Sequence, residues 1–366
     1  MDREGQDRFA RLLHHRIAGL QNGEPLAPPI VSSASYQAPD VDGLSHVYGR
    51  SGMPTWELVE AQLGILEDAP CVAFPSGMAA IAGALFAGLS AGRRLVLPSD
   101  GYYVSRMLAA EFLAGLGVDV LEVPTLAMEQ VDFSGVALVL LETPSNPGLE
   151  VCDVAAIAAR AHAAGALVVV DNTTMTPLLQ RPLDLGADVV VAADTKAPGG
   201  HSDILFGHVA SRNAVYLDRV RSWRRLSGSV PGAFEAWLLH RGIETLEVRL
   251  DRMCASAAVI AERLQGRVKN LRYPGLASDP SHALARRQMA GFGFLIGFEL
   301  ADAAAAERFL AGCPLIAQAT SFGSTHSSGE RRARWGDRVA EGFIRLSVGC
   351  EPVEPLWAAI DAALPT

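Results

Sequence analysis

The sequence predicts an α/β protein with a large domain on a mostly parallel sheet and a smaller α+β domain after it. Three observations predict it. From Cys71 to Thr195, short apolar runs alternate with Ala/Leu-rich stretches of helical length. Most of the runs are apolar without a break, as strands covered on both faces must be; VDVLEVP is interrupted by Asp119 and Glu122. Beyond Pro231 the alternation stops, giving way to one long helical pattern and then to scattered strand-like and helical segments.

Residues 1–50, with Leu26-Ala-Pro-Pro-Ile30 and Ser32 to Tyr36, show little sustained periodicity and read as an irregular, extended arm. The runs CVAFP, RRLVLPS, VDVLEVP, VALVLLETP, ALVVVDN and ADVVVAADT read as six strands, and 76–90, 105–116 and 153–164 as helices between them. A helical stretch from Phe234 to about Leu264, with Ala, Leu and Val every three or four residues, links the large domain to the small one. In the remainder GFGFLIGFEL and FIRLSVG read as strands, 302–311 and the C-terminus as helices, and 321–337 as a loop rich in Ser, Gly and charges. This sets expected bounds of 1–50 for the arm, 51–235 for the large domain and 236–366 for the C-terminal domain.

Composition narrows the function. The chain has 366 residues, 49% hydrophobic and 19% charged, and a net charge of −9. With no basic stripe, nucleic acid is not an expected partner. Cys71, Cys152, Cys254, Cys313 and Cys350 are scattered and never form CxxC, so neither a disulfide framework nor a zinc site is expected, and the histidines form no metal-binding pair. The N-terminus MDREGQDRFARLLHHR lacks the apolar run of a secretory signal, and Met78 to Leu89 is too short to span a bilayer. A cytoplasmic protein acting on a small metabolite is expected, with no membrane association.

In a sheet of this kind ligands collect at the carboxyl ends of the strands. Those ends carry Ser76-Gly77, Asp100-Gly-Tyr102, Ser145-Asn146-Pro147, Asp171-Asn172 and Thr195-Lys196. Lys196 and Lys269 are the only lysines in the chain. Alone, Lys196 reads as an exposed loop residue, but an amine can lose its proton and form a Schiff base, which guanidinium cannot. Asp171 either caps a helix or holds a protonated ring nitrogen. Ser76-Gly77-Met78 opens an Ala-rich helix, so its free N–H groups either serve a simple serine cap or receive a phosphate. Gly291, Gly293 and Gly297 have the wrong spacing for a dinucleotide loop.

Taken in order, YGRSGMPT (48–55), PSGMAA, ETPSNP, DNTTMTPLLQRPLDLGADVVV, TKAPGGHSD, RGIETLEVRL and FIRLSVGCE resemble the Cys/Met-metabolism family of fold-type I pyridoxal 5′-phosphate enzymes, the cystathionine γ-lyases and γ-synthases among them. The resemblance covers most of the chain. It implies that Lys196 is the Schiff-base lysine and proton shuttle, that Asp171 pairs with the pyridine nitrogen, and that Tyr102 stacks on the ring and assists proton transfer. It implies that Ser76, Gly77, Met78 and Thr195 hold the phosphate and that Asn146 bonds the ring oxygen or lies near the substrate carboxylate. Arg345 would grip that carboxylate, with Ser321 beside it. Tyr48 and Arg50 would reach the phosphate of a neighbouring subunit, making a homodimer the minimum active unit and a homotetramer the expected assembly.

The chain departs from the pattern at three places. Ala193 replaces a serine, Tyr102-Tyr103-Val104-Ser105 replaces the family's Tyr-Gly-Gly-Thr or Tyr-Gly-Cys-Thr so that the cysteine of methionine γ-lyases is absent, and His326 stands where γ-lyases and γ-synthases often carry glutamate. The resemblance implies a carbon–sulfur lyase that cleaves cystathionine by γ-elimination to cysteine, 2-oxobutanoate and ammonia. Its alternatives are a γ-replacement enzyme, a cystathionine β-lyase and a catalytically silent relative.

Overall fold

Among the described residues of the computed structural model, 3–40 and 42–365, twelve strands form two sheets. Met1, Asp2, Val41 and Thr366 lie outside them. The larger sheet comprises β1 (Cys71–Phe74), β2 (Arg94–Pro98), β3 (Asp119–Val123), β4 (Val136–Glu142), β5 (Leu167–Asp171), β6 (Val189–Ala192) and β7 (Gly207–Ala210), in the order β1-β7-β6-β5-β4-β2-β3. Every pairing in it is parallel except the two made by β7. Each of the six apolar runs contains one of its first six strands.

The physical reason for unbroken runs is visible in the core. Leu95 and Leu97 pack on one face with Val169, Val189, Val191 and the helix Gly77–Gly88, while Val96, Val168 and Val170 pack on the other with the helix Val154–Ala163. Successive side chains point to opposite faces, and both faces are covered. β7, Gly-His-Val-Ala, lacks such a run and is not legible as a strand; its histidine is buried by ion pairing instead.

The smaller sheet has β8 (Lys269–Arg272), β9 (Leu295–Glu299), β10 (Ala317–Gln318), β11 (Ser328–Arg331) and β12 (Phe343–Ser347), in the order β10-β11-β12-β9-β8. All its pairings are antiparallel except β10 with β11. The expected 321–337 loop therefore contains a strand, followed by a single tight turn, Arg332–Trp335.

Other elements depart from the sequence reading. Within the segment expected to be an irregular arm, Arg3–His14 is a helix, with Phe9 and Leu12 in the same core as Trp56 and Val59 of the helix Pro54–Glu67. The stretch expected from Phe234 to Leu264 is two helices, Ala233–Ile243 and Leu246–Leu264. At the break Arg249 donates hydrogen bonds to the carbonyls of Gly242 and Ala197, each at 2.6 Å. The break thus fixes the backbone just after Lys196. The helix expected over 105–116 begins as Tyr103–Leu108 and continues as a wide turn, Ala109–Leu113, and a tight one, Ala114–Leu116. No helix among the described residues is long and apolar enough to cross a membrane.

Candidate active site

A cavity of about 460 Å³ lies where the carboxyl ends of the large sheet meet the smaller domain. Ser76, Gly77, Met78, Tyr102, Asn146, Asp171, Thr195, Lys196, Ser321 and Arg345 all line it. Tyr48 and Arg50 do not. The Arg50 guanidinium lies over the Tyr48 ring, 5.2 Å from its centroid, and donates to the carbonyl of Arg225 at 3.3 Å.

The large-sheet wall is set by strand register. β4 and β5 place Glu142 directly opposite Asp171. Both carboxyls are buried, and burial is the main cause pushing both pKa values up, with the nearby Asp171 charge adding to the pressure on Glu142. Glu142 is pushed well above the usual range, whereas the Thr173 hydrogen bonds and the Lys196 charge pull Asp171 back. Of the two, Glu142 is held the more strongly toward its neutral form. Asp171 accepts the Thr173 N–H at 3.0 Å, and Thr173 Oγ1 in turn accepts the Ala193 N–H at 2.8 Å. Glu142 Oε2 accepts the Tyr102 N–H at 2.6 Å, which fixes the backbone from which the Tyr102 ring enters the cavity.

Ser76 caps the helix Gly77–Gly88 by accepting the Ala79 N–H at 3.1 Å. The serine cap and the anion cradle are thus one structure, because the Gly77 and Met78 N–H groups at that terminus have no acceptor among the described residues. A Cβ on Gly77 would stand 2.4 Å from the Ala193 Cβ, so the glycine and the small residue at 193 are required together. Thr195 Oγ1 is engaged with Phe206, accepting its N–H at 3.0 Å and facing its carbonyl at 3.2 Å.

Lys196 Nζ donates to Ser321 Oγ at 3.0 Å and lies 5.1 Å from the Phe322 ring centroid. Burial, followed by the Arg345 charge, brings its pKa down to about 8. Arg345 is held from three sides. Nη1 donates to Asn146 Oδ1, and Nη2 donates to the Thr320 carbonyl at 2.9 Å and to Glu330 Oε1 at 2.6 Å, the residue directly opposite it on β11. Its Nε is buried with no partner among the described residues, a donor left free. Burial pushes the Arg345 pKa down to about 10, so the guanidinium stays charged at neutral pH.

Sequence reasoning missed Glu142, Thr173, Glu330, Arg332 and Trp335. Glu142 and Thr173 stand inside motifs already singled out, so their position at strand ends was a usable signal. Glu330, Arg332 and Trp335 lie in the segment that reads as a charged loop, where composition gives none. His326 is exposed and does not line the cavity.

A buried carboxylate at a strand end, an unspent pair of helix N-terminal N–H groups and a lysine of lowered pKa between them fit pyridoxal 5′-phosphate: ring nitrogen, phosphate and aldehyde, respectively. Fold and site define a pyridoxal-phosphate-dependent enzyme acting on amino acids. The chain belongs to the Cys/Met metabolism PLP-dependent enzyme family, whose model matches residues 12–365. It is 48% identical over 350 residues to a Streptomyces coelicolor protein provisionally named a cystathionine gamma-lyase, with 93% of this chain and 89% of that one covered. It is 38% identical over 386 residues to an L-methionine gamma-lyase of Pseudomonas deceptionensis, covering 97% and 96%. Among solved structures it resembles a cystathionine gamma synthase of Xanthomonas oryzae in complex with cystathionine, with a TM-score of 0.91, 34% identity and 97% of each chain covered. The relatives share the cofactor and the sulfur amino acid chemistry and differ in the reaction named.

Proposed function

We propose that this enzyme cleaves cystathionine by γ-elimination, releasing cysteine, 2-oxobutanoate and ammonia. The observation that carries the reading is the single cavity in which Lys196, Asp171, Tyr102 and Arg345 converge. The absence of the methionine γ-lyase cysteine from the segment Tyr102-Tyr103-Val104-Ser105 and the relation to the Streptomyces coelicolor protein favour cystathionine over methionine.

When bound, pyridoxal 5′-phosphate supplies an electrophilic aldehyde and an electron sink conjugated to the substrate Cα. Asp171 would hold the protonated ring nitrogen, the Gly77 and Met78 N–H groups with the Ser76 hydroxyl, and the Thr195 hydroxyl once turned from the Phe206 carbonyl, would hold the phosphate, and the Asn146 amide would donate to the ring oxygen. Arg345 takes the substrate carboxylate through the donors the protein leaves free. Lys196, with a pKa near 8, would be the base that takes the proton from the substrate Cα and, once it has released that proton, the one from Cβ. Burial raises the Tyr102 pKa above its ordinary value, so its phenol keeps its proton and can give it to the departing sulfur.

Among the described residues no cation is engaged at the helix terminus that receives the phosphate, and Tyr48 is 45% exposed on an arm that also exposes Leu26, Ile30 and Val47. A second copy of this chain covers that arm and brings its Tyr48 and Arg50 to the phosphate, which makes the dimer the active unit and a tetramer the full assembly.

A γ-replacement enzyme is the second reading, favoured by the likeness to the Xanthomonas oryzae synthase. Incubation with L-cystathionine and analysis of the oxoacid tests both. 2-Oxobutanoate is expected. Pyruvate would assign β-elimination, and no oxoacid alongside turnover of an O-acylhomoserine with a thiol would overturn the lyase.

A further inference from the structure

The tight turn after β11 puts two side chains into the cavity wall, Arg332 and Trp335. Arg332 is 4% exposed. Its Nη1 donates to Glu330 Oε1 at 2.6 Å and its Nε to Asp337 Oδ2 at 2.7 Å. Arg345 bonds the same Glu330 oxygen, also at 2.6 Å, so the two guanidinium groups stand side by side around one carboxylate. The Trp335 indole N–H fixes the other Glu330 oxygen at 2.9 Å. Arg332 Nη2 is paired in charge with Asp337 but has no aligned acceptor among the described residues, so donor hydrogens remain unspent next to the cavity.

We infer that Arg332 is a specificity-determining residue, which selects substrates whose departing fragment carries a carboxylate, as in cystathionine, over those whose departing fragment is uncharged, as in methionine. The inference rests on the reading of the cavity as a sulfur amino acid site. Arg345 is committed to the carboxylate next to Cα. Arg332 and Tyr102 line the same cavity, and the Arg332 charge is close enough to act on the Tyr102 phenol, the group read above as proton donor to the departing sulfur. His326 is exposed and outside the cavity, so it cannot read that fragment. Burying two guanidinium and two carboxylate groups is costly, and a wall that only had to pack would be as stable with apolar residues. A methyl thioether against this wall gains no hydrogen bond, whereas a carboxylate gains a charge-assisted one.

The test uses two amino acids with the cystathionine chain length and no leaving group, 2-aminosuberate and 2-aminooctanoate, which differ in a terminal carboxylate. Their affinities for the holoenzyme are read from the change in cofactor absorbance. The wild type should favour 2-aminosuberate by about tenfold or more, and Arg332→Gln should bring the ratio close to one. Arg332→Gln with Asp337→Asn removes the charge and its counter-ion together and keeps the comparison available if the single variant does not fold. Equal wild-type affinities, or a ratio unchanged in the variants, would overturn the inference. Neither probe undergoes elimination, so the outcome is independent of which oxoacid cystathionine yields.

Discussion

The two walls of the cavity are built on different principles. The large-sheet wall uses strand ends and one helix terminus, where backbone N–H groups and a register-fixed carboxylate pair do most of the holding. The small-domain wall is an ion network, Arg345, Glu330, Arg332 and Asp337, in which nearly every group is positioned by another side chain. Backbone geometry tolerates sequence change, so the first wall suits a part of the reaction shared by all the family's substrates. A side-chain network changes with each residue, so the second suits the part in which substrates differ. Relatives that share the cofactor and differ in the named reaction fit that division.

The sharpest way to break this division is at the residue where the walls meet. Lys196→Ala should abolish the cofactor's absorbance band near the visible edge and lower oxoacid release by about a thousandfold or more; a variant that kept both would remove Lys196 from the chemistry. Next comes a matched pair, one residue from each wall. Asp171→Asn should lower kcat by about a hundredfold with little change in KM. Arg345→Ala should raise KM by about thirtyfold or more while the cofactor spectrum stays intact. Should both variants damage cofactor binding and KM alike, the walls are not separate.

A third test concerns the support of the first wall from behind. His208 on β7 is buried between Asp194, at 2.9 Å, and Glu67, at 3.3 Å, and these carboxylates outweigh burial and raise its pKa from 6.5 to about 10. A group whose folded-state pKa is raised stabilises fully below its unfolded value and loses that contribution as pH rises through the folded one. The urea midpoint should therefore fall between pH 7 and pH 10. His208→Gln should cost about 3 kcal/mol at neutral pH and flatten that slope. The smallest effect expected is kinetic. In cofactor-free protein the uptake of pyridoxal 5′-phosphate by Lys196 needs the neutral amine, so its rate should rise about tenfold per pH unit and level off above about 8. A rate still climbing at pH 10 would mean that the Lys196 amine is not depressed.

Legibility in the sequence obeyed the same division. Most of the apolar runs are strands because both faces of the sheet are covered there, the edge strand β3 being half-exposed, and the polar residues at the ends of most of them reach the cavity because parallel strands end on one edge. β7 escaped notice because ion pairing buries its histidine, and the Arg3–His14 helix because only Phe9 and Leu12 anchor it in the core. Lys196, Asp171, Ser76, Gly77 and Asn146 could be named from their neighbours in the chain. Glu330, Arg332 and Trp335 could not, since Arg345 meets Glu330 only when β11 pairs with β12.

The sequence by itself determined the parallel sheet, the residues at its strand ends and the family they resemble, because hydrophobic periodicity and short motifs are local properties of the chain. Only the tertiary structure decided which carboxyl is pressed harder toward its neutral form, how far the Lys196 pKa falls, and that a second guanidinium stands beside Arg345. Those depend on burial and on charges brought together from distant segments, which no local pattern records.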